Sequence, residues 1–129
     1  QMCIRDRAFE MAKINPKDVD LAELHDAFTI LEIAESEHAG FFKKGEGGKA
    51  VEKGETSLGG KLPINMSGGL KARGHPVGAT GVAQVVDVVF QLRQELDKNR
   101  QVKGAKIGFT LNFAGFGNNV VAFVLRRTE

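Results

Sequence analysis

The chain has one cysteine, no tryptophan, no tyrosine and three prolines among its 129 residues. Each shortage excludes something. A single thiol, Cys3, cannot form an internal disulfide, so a reducing, cytoplasmic setting is the default expectation. No apolar run reaches the roughly 20 residues that span a bilayer as a helix, so no membrane is expected as a partner. Charge is not one-sided: 18 basic and 16 acidic residues leave a net +2, which gives no footprint for a nucleic-acid partner. The clusters of His, Cys and carboxylates that hold metals are absent from the pattern, and no metal is expected. What is abundant is glycine, with 16 residues, set in a chain whose apolar share of 42% suits one soluble domain with one core.

Glycine concentrates in Asn65-Met66-Ser67-Gly68-Gly69-Leu70-Lys71-Ala72-Arg73-Gly74-His75-Pro76-Val77-Gly78-Ala79-Thr80-Gly81. Such a loop lets backbone approach a ligand closely, and it presents an imidazole, the side chain suited to proton transfer near neutral pH. The amphipathic segment that follows predicts a helix from Gly78 to about Lys98, with Val82, Val85, Val86, Val89 and Phe90 as its buried stripe. Upstream, Ala8–Ile14 reads as the end of a helix stopped by Asn15-Pro16, and Val19–Leu24 as a short strand ending near His25. A helix is expected over Ala27–Ala39, with Ala27, Ile30, Leu31 and Ala34 inward and Glu32, Glu35 and Glu37 mostly outward. Gly45–Gly60 reads as a mobile loop and Leu62–Asn65 as a strand feeding the glycine loop. Ala105–Phe113 and Val120–Arg127 alternate as strands around the turn Ala114-Gly115-Phe116-Gly117-Asn118. The order is α-β-α-β-α-β-β, an α/β chain with a mixed sheet that ends in an antiparallel hairpin.

The first seven residues stand apart. Met2–Asp6 reads like translated sequencing-adaptor DNA, so residues 1–7 are expected to be a non-native tail and residues 8–129 the domain. That reading sets Cys3 aside as a nucleophile.

Three short motifs fall where a strand gives way to a loop: His25-Asp26-Ala27-Phe28, Gly74-His75-Pro76 and Asn112-Phe113-Ala114-Gly115. Ligands in α/β sheets bind at such edges. Each alone also has an ordinary reading: a capping histidine, a turn, a plain hairpin. His38 lies on a polar helical stretch and is expected to face solvent, and Lys71 with Arg73 reads as a solvated basic pair.

In order and spacing the three motifs resemble the C-terminal half of the thiolases. His25-Asp26-Ala27-Phe28 is similar to the His-Asp-Cys-Phe of sterol-carrier-protein-type and archaeal thiolases, and most others carry Asn-Glu-Ala-Phe there. Gly74-His75-Pro76 with Val77-Gly78-Ala79-Thr80-Gly81 matches the family loop, and Asn112-Phe113-Ala114 stands where many thiolases have Cys-x-Gly. The resemblance implies half of a layered αβαβα fold, incomplete at its N-terminus, and acyl transfer between coenzyme A thioesters through a cysteine on the missing N-terminal half. It implies His75 as base, and His25 with His75 as one oxyanion hole, His25 donating from either ring nitrogen. It also implies the Ala114 backbone amide as a donor to a second hole, and Ala27, Phe28, Gly74 and Gly115 as coenzyme A contacts. No cofactor is implied beyond the thioester substrate. Partners implied are acyl-CoA, the other half, further copies of the intact chain, and in some relatives a small OB-fold subunit.

Two family positions that carry an acid/base cysteine are Ala27 and Asn112 here, neither able to move a proton. The remaining histidines resemble the Cys-His-His set of β-ketoacyl synthases. A retro-aldolase on the same fold and a non-catalytic scaffold that binds coenzyme A stay open beside acyl transfer. The isolated chain is expected not to turn over acyl-CoA.

Overall fold

A computed structural model describes residues 2–128. Helix α1 (Met2–Ala12) takes in the helix end expected after Ala8 and reaches back to Met2, and Lys13 at φ 54° closes it before Asn15-Pro16. A 3-10 turn over Pro16–Asp18 leads into strand β1 (Leu21–Glu23). Helices α2 (Thr29–His38), α3 (Gly47–Glu52), α4 (Gly69–Arg73) and α5 (Thr80–Arg93) follow, and strands β2 (Ile107–Ala114) and β3 (Asn119–Arg126) end the chain.

The sheet runs β1-β2-β3, with β1 parallel to β2 and β2 antiparallel to β3. Leu21 pairs with Gly108 and Glu23 with Thr110, so the C-terminal ends of β1 and β2 lie side by side. The Leu62–Asn65 strand shrinks to one parallel bridge, Ala22 to Ile64, on the free side of β1. The Ala22 N–H donates to the Pro63 carbonyl and the Asn65 N–H to the Ala22 carbonyl. Asn65 at φ 54° then turns the chain out of the pairing.

Alternation along β2 sends Ile107, Phe109 and Leu111 to one face, where Phe109 stacks on Phe9 of α1 at 5.2 Å between ring centroids. Leu21, Val88, Leu92 and Ala105 form a second cluster on the α5 side. In β3 the residues packed on the Phe109 cluster are Ala122 and Val124; Val121 and Phe123, on the opposite face, are exposed.

Both long helices turn differently from the sequence expectation. In α5 the buried positions are Thr80, Gln84, Val88, Gln91 and Leu92, while Val82, Val86 and Phe90 are exposed. In α2 Glu35 and Ser36 are buried and Ile30 is exposed. Glu35 goes inward because its carboxylate accepts the otherwise unpaired His25 backbone N–H at 2.8 Å. The expected mobile loop after Gly45 contains α3, whose first N–H, that of Gly47, donates to Glu37 Oε1 at 2.8 Å. Backbone bonds from Leu62 to Glu55 and from Ile64 to Thr56 hold the rest of that segment.

Candidate active site at the ends of the parallel strands

His25 leaves β1 at its C-terminal end and is 3% exposed. His75 sits between α4 and α5, and its ring meets that of His25 edge-on at 4.9 Å between centroids and 79°. Phe113 of β2 closes the other side of His25 at 4.5 Å. Two histidines some 50 positions apart in sequence are thus brought into ring contact. The arrangement follows from two clamps on the glycine loop. Glu23 accepts from the Ser67 hydroxyl at 2.6 Å and the Ser67 N–H at 3.0 Å. Asp26 accepts the Leu70 N–H at 2.9 Å, and it comes so close to Gly69 (φ +65°) that a Cβ there would lie 2.0 Å from its Oδ2. Only glycine fits that position.

The ring environments differ. His75 Nδ1 lies 2.7 Å from the Thr80 hydroxyl, which donates to the Pro76 carbonyl at 3.2 Å. The same carbonyl accepts the Ala79 and Thr80 N–H groups at 2.8 and 3.0 Å, so the His75 ring is tied to the first turn of α5. Around His25, Asn112 Nδ2 lies 2.8 Å from Nδ1. Burial holds the His25 pKa below its ordinary 6.5, and the neighbouring His75 and Arg73 push the same way against Asp26.

The other expected site residues sit around this pair without touching it in the described contacts. Phe28, 72% exposed, caps the start of α2, and Ala27 beside it is also exposed. Gly74, at φ 85°, ends α4 next to His75. Ala114 closes β2 opposite Asn119, its carbonyl accepting from Gly117 N–H at 3.2 Å, and Gly115 turns the hairpin at φ 61°. His38 faces solvent as expected. Arg73 does not: its side chain is 19% exposed and pairs with Asp87 at 2.6 Å. Among the described residues no cluster of three or more His, Cys, Asp or Glu could hold a metal, and no helix is long and apolar enough to cross a membrane.

Sequence reasoning missed Gln84, Asn112 as a hydrogen-bonding residue, Thr80 and the inward carboxyls. A polar residue within an apolar helical stripe, as Gln84 is, was the available signal. The inward carboxyls carry a stability consequence. Burial pushes Glu35 up to about 8, and Glu23 up to about 7 despite its bonds from Ser67. Both groups are acidic near 4.5 when unfolded, so the folded chain binds their protons more tightly, and stability falls as pH rises toward 8. His25, with its value lowered in the fold, works in the opposite sense only below its ordinary 6.5. The window from pH 6.5 to 8 therefore isolates the carboxyls. Urea unfolding across that window is expected to show the unfolding constant rising about tenfold or more, about 1.4 kcal/mol. Glu35→Gln, which keeps the acceptor for His25 N–H, is expected to flatten most of that slope; an equally steep slope in the variant would show that Glu35 is not its source.

The Methanothermobacter thermautotrophicus protein named acetyl-CoA acetyltransferase is 54% identical over 120 residues, covering 93% of this chain and 31% of that protein. Sterol carrier protein 2 of Bos taurus is 47% identical over 115 residues, covering 89% of this chain and 21% of its own length. A solved structure titled Ltp2-ChsH2(DUF35) aldolase superposes with a TM-score of 0.82 at 25% identity, over 97% of this chain and 31% of that one. The chain thus spans between a fifth and a third of the length of these relatives. The family described as thiolase C-terminal domain-like matches residues 5–127. With that match over nearly its whole length, the chain belongs to the thiolase C-terminal domain-like family.

Proposed function

We propose that this chain is the C-terminal half of a thiolase-type acyl-CoA C-acyltransferase and supplies two histidines to carbon–carbon bond formation or thiolysis on coenzyme A thioesters. The observation that carries the reading is the His25–His75 ring pair at the ends of parallel strands. In condensation a cysteine of the other half attacks the thioester carbonyl and the carbon–sulfur bond to coenzyme A breaks, its thiol leaving. In thiolysis the same cysteine attacks the 3-keto carbonyl and the C2–C3 bond breaks, the acyl-CoA carbanion leaving as it takes up a proton. His75 Nε2 takes the thiol proton, since a thiol of ordinary pKa near 8.5 is mostly unionised at neutral pH. The negative charge that develops on the carbonyl oxygen needs donors already in place. His25 is one, and the Ala114 amide serves the second oxyanion hole. Ala27, Phe28, Gly74 and Gly115 line the approach of the coenzyme A arm. The exposed Val82, Val86 and Phe90 on α5 give the other half an apolar face to cover.

A retro-aldolase is the second reading, favoured by the aldolase title of the structural neighbour and by Ala27 and Asn112 standing where acid/base cysteines would be. That title names two components, and a small second subunit fits both readings. The test joins this chain to the N-terminal part of the Methanothermobacter protein, in place of that protein's matching 120 residues. Coenzyme A-dependent cleavage of acetoacetyl-CoA by the joined protein is the expected result. Aldol cleavage of a β-hydroxyacyl thioester without thiolysis supports the second reading. Neither activity in a folded protein that binds coenzyme A leaves a scaffold and overturns both.

A further inference from the structure

We propose that Gln84 and Asn112 form a positioning relay that fixes His25 as its Nε2–H tautomer, so that His25 presents a hydrogen-bond donor to the site while His75 presents a base. The argument starts from two backbone carbonyls. Gln84, fully buried on α5, points its amide nitrogen at the Leu111 carbonyl at 3.1 Å and the Glu23 carbonyl at 3.4 Å. Carbonyls only accept, so both Gln84 N–H bonds are committed and its Oε1 faces away as an acceptor. Asn112 Nδ2 lies 3.0 Å from that oxygen and donates to it. The reversed amide would set two oxygens against each other. The second N–H of the same Nδ2 points at His25 Nδ1, 2.8 Å away. Nδ1 must therefore carry a lone pair, and a neutral imidazole then holds its proton on Nε2.

The relay also opposes a doubly protonated His25, because an Nδ1–H would face the Asn112 N–H. The charged or titratable groups around the ring are His75, Arg73, Asp26 and Glu35, the last through the backbone N–H. The sequence left both ring nitrogens open as donors; the strand-end carbonyls, transmitted through two amides, leave only Nε2. The use of that donor on a thioester or aldol oxygen rests on the reading above, but the tautomer does not.

The test uses the chain as it is. Long-range ¹H–¹⁵N spectra of the labelled chain at pH 7.5, with the three histidines assigned by single His→Gln variants, are expected to show His25 protonated on Nε2 and not on Nδ1. Asn112→Asp replaces the donor with a carboxylate, so a proton is expected to appear on Nδ1 and the His25 titration midpoint to rise by at least one pH unit, a tenfold change in proton affinity. A His25 protonated on Nδ1 in the unaltered chain overturns the relay, and so does an unchanged His25 in a folded Asn112→Asp chain. If that variant does not fold, the unaltered spectrum alone decides. In the joined protein the same substitution is expected to move the acid limb of the kcat/KM–pH profile upward. The expected tautomer with no activity in the joined protein sinks the functional reading and leaves the relay standing.

Discussion

His75→Ala in the joined protein is expected to lower kcat by 10²-fold or more, the scale on which a positioned proton-transfer group acts. The substitution removes the solvent-exposed imidazole of the pair, the one held by the Thr80 hydroxyl at the start of α5. His75 is exposed and lies outside the hydrophobic clusters, so the loss is expected to fall on kcat more than on KM and the folded population to change little. Steady-state kinetics of thiolysis over a pH series, alongside thermal unfolding of the same samples, checks both halves of the statement. A rate within threefold of the unaltered protein would show that proton transfer runs elsewhere.

Gly108→Ala is expected to destabilise the chain by about 3 kcal/mol, the upper range for forcing a methyl group into a packed core. Gly108 stands in β2 between Leu21 of β1 and Leu125 of β3. A Cβ there would lie 2.3 Å from Cγ1 of Val88, which is itself fully buried. Neither partner has room to move: Val88 is held on α5 against the sheet, and β2 is fixed on both edges. The obstacle is thus one methyl group, which gives the prediction a sharp form. Val88→Ala removes that methyl at its own cavity cost, and in that background Gly108→Ala is expected to cost only about 1 kcal/mol, so that the two substitutions couple by about 2 kcal/mol. Urea unfolding of the four proteins measures it. Strict additivity would mean that β2 or α5 shifts freely and that the close approach of helix and sheet is not what requires glycine.

The hairpin and the Gly-His-Pro loop were legible because their information is local. Ile107, Phe109 and Leu111 alternate, and glycines mark the turn between the last two strands. Three of the loop's glycines, Gly68, Gly69 and Gly74, meet a local demand for positive φ, and Gly69 also faces Asp26, a partner that no local reading reveals. The helix faces were less legible. Hydrophobic periodicity records every apolar contact a helix makes and does not say with what. In α5 it put Val82, Val86 and Phe90 on the buried stripe, where they are exposed, and passed over Val88 and Leu92, which pack on the sheet. In α2 it turned Glu35 outward, where charge alone would put it. The backbone N–H of His25 outweighed that preference, because an unpaired buried amide costs more than drawing in a carboxyl that can take up a proton.

By itself the sequence determined the class of fold, the antiparallel hairpin, and the pairing of two histidines with a glycine loop. These follow from residue types whose backbone and side-chain preferences act over a few positions. Only the tertiary structure decided which ring nitrogen His25 offers. That choice is made by carbonyls of Glu23 and Leu111 and by the amides of Gln84 and Asn112, which come together only when β1, α5 and β2 are packed. A proton's place on an imidazole is set by what lies within 3 Å of the other nitrogen, and no spacing in the chain encodes that distance.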